Sequence, residues 1–336
     1  MRPFALALVA ACHGSSTPTP TPTPSQSQSQ SPSPSPTPSQ TQTPSPSPKV
    51  VTIDATGIGF DDLAFINGKV LAPAGKTGNL VLIDPATGAT QTMKAAAPSS
   101  EPYRPWHHDV GITSAAAGWV ATDRTTKTLV AVESQTKIGL ATEPDYVRVV
   151  GGELWVTEPD EGQIEVFTPP PFKHVMTFAV PGGPESLVVS ASRNMAYANL
   201  WHAKSVEIDV GKHAITRTFA SGCDKTRGIA LDDAGGGLFV ACNDGRIVRI
   251  DLGSGKIAAE GRAGDGVDII DFSPKTGHLY VPAARAGTLT VFDAKLSIVK
   301  TAAVPKGAHC VVADDRGQAW VCDPDHGSLV VFSENP

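Results

Sequence analysis

No segment of this chain shows the 3.6-residue apolar period of an amphipathic helix, so neither a helical bundle nor a βαβ fold is expected. Aromatic residues are few, at 6%. Glycine and valine are plentiful instead, which suits many short strands joined by tight turns. The formal net charge is −6, and no stripe or cluster of Lys and Arg stands out. Nucleic acid is therefore excluded as a partner. Also missing are a Gly-x-Ser-x-Gly elbow, a phosphate-cradling Gly-Lys-Ser/Thr loop, His-Glu-x-x-His, and the Cys-x-x-Cys-His of covalent haem attachment. The common hydrolase, nucleotide and haem chemistries thus have no motif to rest on.

The N-terminal apolar stretch over residues 3–11 is too short to span a membrane. With Met1-Arg2 ahead of it, residues 1–12 are expected to be an export signal. Val9-Ala10-Ala11-Cys12 resembles a bacterial lipobox, which implies lipidation of Cys12 and attachment to the outer face of a bacterial membrane, at the cell surface or in the periplasm. Residues 13–48 are almost entirely Ser, Thr, Pro and Gln, with no acidic or basic residue from Gly14 onward. Such a segment has too little apolar surface to fold and favours extended polyproline II. At about 3.1 Å per residue it forms a stalk reaching up to roughly 100 Å.

Residues 49–336 repeat one theme seven times, with a period near forty residues and three or four strands per unit. Second strands carry an aromatic followed by Val or Ala: Trp119-Val120, Trp155-Val156, Tyr197-Ala198, Phe239-Val240, Tyr280-Val281 and Trp320-Val321. The first unit turns at Asn67-Gly68, a hairpin signal. The last unit stops short of a fourth strand, whereas Lys49-Val50-Val51-Thr52-Ile53 is a spare strand ahead of unit one. The expected fold is all-β: a seven-bladed β-propeller closed by that N-terminal strand, which completes the last blade.

The repeats resemble the YVTN β-propeller repeat family of bacterial envelope proteins. The residues that carry the resemblance are the aromatic-Val second strands, Leu82-Ile83-Asp84-Pro85-Ala86-Thr87-Gly88, and its echo Ile250-Asp251-Leu252-Gly253-Ser254-Gly255. It covers roughly residues 49–333 and implies the fold more than any activity. Only Arg227-Gly228-Ile229-Ala230 comes near the first-strand pattern common in that family.

Aligned on their first strands, the units place Asp61, His108, Asp145, Glu185, Arg227, Asp268 and His309 at one position, a ring around the channel mouth. Channel side chains are polar for solvation alone, and pairs such as Arg227 with Glu185 account for part of the ring. Yet four carboxylates against one guanidinium leave −3 with neutral imidazoles, a balance that raises carboxyl pKa values or recruits a cation. Ring closure makes His309, Asp61 and His108 neighbours, a set that suits a divalent metal ion such as zinc, copper or iron. Arg227, across the channel, is placed to hold a carboxylate or phosphate. Trp201 and His202, in the loop after a second strand, are expected at the same rim, with Asp123, Glu158, Asn199, Asn243 and Asp323.

Setting Cys12 aside, four cysteines remain in an exported chain, where disulfides form. The hairpin register pairs Cys310 with Cys322, and Cys223 and Cys242 share a rim. The competing reading is free thiols, or a metal site joining Cys310 to His309. The function expected is that of a lipid-anchored, monomeric binding module, taking a metal ion, a small anionic ligand or a protein partner at the mouth. The alternative is a metal-dependent propeller enzyme, lactonase- or lyase-like by analogy of fold.

Overall fold

The structure is a computed structural model that describes residues 49–54, 57–100 and 110–333. Residues 1–48, including Cys12 and the stalk, lie outside the described residues, as does His108. Seven four-stranded antiparallel sheets form the chain, and no helix occurs among the described residues. Six blades are consecutive, over residues 64–94, 112–139, 147–179, 184–220, 226–262 and 271–303. The seventh is composite: β26 (Val311–Ala313), β27 (Gln318–Asp323) and β28 (Ser328–Ser333) are completed by β1 (Lys49–Thr52). The closing pairs are Lys49 with Val331 and Val51 with Leu329. Val51 is the one buried side chain of β1, and it packs into the core beside Leu329 and Val331. The spare N-terminal strand therefore closes the ring.

Alternation along each strand builds the core between blades, because successive side chains face opposite neighbours. In blade five, Phe239 packs with Phe272 and Leu279 of blade six. Leu238 and Val240, on either side of it, pack with Tyr197 and Phe219 of blade four. The aromatics Trp155, Tyr197, Phe239, Tyr280 and Trp320 are all fully buried in this way. Trp119 is not. It sits with Gly118 in the hairpin turn, both residues at positive φ, so the second strand of blade two begins at Val120. The expectation that Gly118 and Trp119 lie in that strand is corrected by one register place. Asn67 and Gly68 also have positive φ, as the type I′ turn that joins twisted strands requires.

Both expected disulfides are formed, Cys223–Cys242 and Cys310–Cys322, with Cα separations of 5.4 and 5.5 Å. Each closes a short loop, of 19 and 12 residues. Loop entropy in the unfolded chain makes such a cross-link worth about 3 kcal/mol.

Candidate functional site at the channel mouth

The first strands run down the channel from one rim, and the loops joining second to third strands return to that rim. Asp61, Asp145, Glu185, Arg227, Asp268 and His309 all line a single cavity there, of about 650 Å³. Trp201 and His202 line it too. The periodic ring is thus a physical ring in six of seven blades.

Blade two departs from the expected alignment. Asp145 precedes Tyr146, which lies opposite Thr157, and Glu185 precedes Ser186, opposite Asn199. In blade two the corresponding pair is Ser114 and Thr122, so by register the aligned position is Thr113. Thr113 is buried and meets Thr122 through their hydroxyls at 3.2 Å. The long connection between blades one and two displaced the alignment by five residues.

The electrostatic balance is also corrected. Arg124, Lys225 and Arg285 join Arg227 on the cavity wall, facing Asp61, Asp145, Glu185 and Asp268. Arg124 lies 3.4 Å from Asp145 and 3.5 Å from Glu143. Arg285 clamps Asp265 through two nitrogens at 2.7 and 2.8 Å. Arg227 pairs with Glu185, whose other oxygen accepts the indole N–H of Trp201. Burial works against the Arg227 charge, but Glu185 and Asp268 more than offset it and hold its pKa up. Burial pushes the Glu185 carboxyl up to about 7, with Asp268 adding to the rise and Arg227 opposing it.

Blade packing holds Arg227 in place. Gly228 donates its N–H to the Asp268 carbonyl at 2.8 Å. A Cβ at Gly228 would stand 2.3 Å from that oxygen, so only glycine lets the two blades approach this closely. Asn199 donates to the carbonyls of Arg227 and Gly228 at 2.6 and 2.9 Å. Asn199 is a positioning residue here. Asp123 likewise caps its own turn through Thr126, and Asp323 bonds His326, while Asn243 reaches the cavity wall.

Of the three residues expected to hold a divalent metal, Asp61 and His309 line the cavity, and His108 lies outside the described residues. Both ring nitrogens of His309 face backbone carbonyls, Nδ1 at 2.7 Å from Gly307 and Nε2 at 2.8 Å from Phe60. In this geometry neither nitrogen turns a lone pair to the cavity, as a ligand to a metal must. His309, Cys310 and Cys322 do cluster within 4.8 Å, but the two sulfurs are bonded to each other.

Below the mouth the channel is closed by a polar waist. Tyr146 and Ile269 line both the mouth and a second cavity of about 430 Å³ on the opposite side. At the waist Arg148 grips Asp62 with two nitrogens, at 2.5 and 2.8 Å, and Ser114 donates to the same carboxylate at 2.5 Å. The guanidinium also lies over the Tyr146 ring. Nearby Asp271 accepts the N–H groups of Phe272 and Ala313, and burial raises its pKa to about 6.

These two raised carboxyls set a pH dependence. Glu185 and Asp271 have folded pKa values above their unfolded values of 4.5 and 3.8. Their contribution is therefore fully present below pH ~4 and is lost as pH rises through 6 and 7. Each is worth on the order of 3 kcal/mol. Asp84, Asp233 and Asp293 have lowered pKa values and act in the opposite sense, so stability also falls in strong acid. Thermal denaturation is expected to show a maximum near pH 4–5 and a falling melting temperature up to pH 8. Glu185→Gln should flatten the upper part of that fall. A flat wild-type profile from pH 5 to 8 would contradict the assignment.

Arg124, Lys225, Arg285 and Tyr146 went unnoticed in the sequence. All four carry a signal: Tyr146 sits one place inside the ring, and Arg124 and Arg285 lie in the loops after second strands. Lys225 and Arg227 are two residues apart where the chain enters blade five, the spacing that puts both on one side of an extended segment.

No known protein family matches the chain, and no curated protein is recognisably similar in sequence. Among solved structures it is similar to the WD40 beta propeller domain of Doa1, with a TM-score of 0.62 and 15% identity, covering 86% of this chain and 97% of that one. At that identity the likeness shows a WD40-like β-propeller fold and nothing of its role.

Proposed function

We propose that this propeller is a non-catalytic binding module that takes a small anionic ligand in its channel mouth. The observation that carries the reading is the convergence of Lys225 and Arg227 on a polar cavity of about 650 Å³, with Trp201 at its wall. That volume falls within the range of about 300–1,000 Å³ seen for small-molecule sites. A carboxylate or phosphate would replace Glu185 as the partner of Arg227, and Asp268 would accept from hydroxyl or amino groups of the same ligand.

The proposal extends to location. Two disulfides in the propeller fit an oxidising compartment. Lys49 lies at the rim opposite the charged mouth, by its pairing with Val331. A YVTN-type propeller lipidated at Cys12 would be held at a membrane through residues 13–48. Cys12→Ser should then move the protein from the membrane fraction to the soluble fraction.

Calorimetric titration of the full chain with succinate and inorganic phosphate, against glycerol as a neutral control, tests the site. The anions are expected to bind saturably and glycerol not. Arg227→Ala should weaken them about tenfold or more. Binding should tighten between pH 8 and pH 6, because protonation of Glu185 releases Arg227. Absence of anion binding, or stoichiometric uptake of a divalent ion unaffected by Arg227→Ala, would overturn the reading.

A further inference from the structure

The second cavity, on the other side of the waist, differs in chemistry from the mouth. Its walls are apolar, built by the lower ends of the first strands: Leu63, Phe65, Ala116, Val149, Leu187 and Val311 among them. Three charged groups reach it, Asp62, Arg148 and Asp271. Arg148 and Asp62 neutralise one another through the bidentate pair. Asp271 is left as the net charge. Its oxygens each accept one backbone N–H, at 2.9 Å from Phe272 and 2.8 Å from Ala313, and each keeps a further lone pair.

We infer that this cup is a second binding site, for an organic cation that carries an ammonium group on a compact apolar body. The apolar body would displace water from the aliphatic walls, and the ammonium would donate to Asp271. Charge complementarity selects this occupant. A neutral apolar molecule would leave the carboxylate desolvated without a partner, and an anion would be repelled by it. The cavity, about 430 Å³, has room for an arylalkylamine or for the end of a lysine side chain. The site is separate from the mouth, since Tyr146 and Ile269 stand between them. It does not depend on the anion reading.

The test compares benzylammonium, benzyl alcohol and benzoate on the full wild-type chain by methyl NMR titration. Benzylammonium is expected to shift the methyl signals of Ala116, Val149 and Leu187 and to bind about tenfold or more tightly than benzyl alcohol. Benzoate should not bind in the cup. Asp271→Asn should bring benzylammonium down to the level of the alcohol. Ala117→Trp, at the rim of the cup, should block both while leaving Asp271 untouched. Equal affinity for ammonium and alcohol, no saturable binding of the ammonium, or shifts confined to the methyls of Val267 at the mouth would each overturn the inference.

Discussion

Replacing Arg148 by methionine should lower the free energy of unfolding by about 3–5 kcal/mol, the cost of stranding a buried carboxylate. Asp62 is only 1% exposed, and Arg148 is its bidentate partner from a different blade. Ser114, from a third blade, donates to the same oxygen as one of the guanidinium nitrogens. Blades one, two and three are therefore tied at the channel waist by a single carboxylate. Burial works against the Arg148 charge, yet the attraction of Asp62 more than offsets it and keeps the pKa raised. The variant leaves Asp62 with the Ser114 hydroxyl and no countercharge. Denaturant unfolding should show the loss as a lower midpoint with an unchanged slope. The double variant Asp62→Leu/Arg148→Met should recover most of it, because an apolar pair of similar volume has no charge to desolvate. A single variant as stable as wild type would mean that water reaches the pair and screens it.

Deletion of residues 49–53 should be at least as damaging, by about 5 kcal/mol. The strand contributes the burial of Val51, the packing of Ile53 and four ladder pairs with β28. Its loss also has a consequence that no point variant reproduces. Leu329, Val330 and Val331 would then lie on an open edge, ready to pair with another chain. Size-exclusion chromatography should show species larger than those the full chain forms. Val51→Asp separates the two effects: it removes the apolar contact and keeps the backbone ladder, so it should destabilise by about 3 kcal/mol without opening the edge. Monomeric, fully stable deleted protein would show that β28 does not need its partner.

Most of the architecture was legible because it is written in local, periodic terms. The strand period, the Asn67-Gly68 turn, the missing last strand and the spare Lys49–Thr52 segment each reflect backbone chemistry within a few residues, and together they leave a closed ring as the consistent answer. The Cys310–Cys322 disulfide followed from hairpin register, and Cys223–Cys242 from a shared rim. The ring followed wherever the repeat kept its length. In blade two the register gives the aligned position to Thr113, because the connection ahead of that blade changes length, and His108 lies outside the described residues. Trp119 misled for a related reason: an aromatic at the expected spacing sits in a turn, which only its positive φ reveals.

The sequence by itself determined the all-β repeat, the number of blades, the closing strand and six of the residues that reach the mouth from the first strands. Those features depend on short-range periodicity and on one topological rule, that a propeller must close. Only the tertiary structure decided how the charges are balanced and where the channel is blocked. Arg124, Lys225 and Arg285 meet the ring across blades, and Arg148 finds Asp62 at a separation of 86 residues. His309 turns its Nε2 to the Phe60 carbonyl, 249 residues away along the chain. Electrostatics depends on distance in space, and in a closed ring the nearest partner is fixed by the curvature of packed sheets, which the order of residues along the chain does not record.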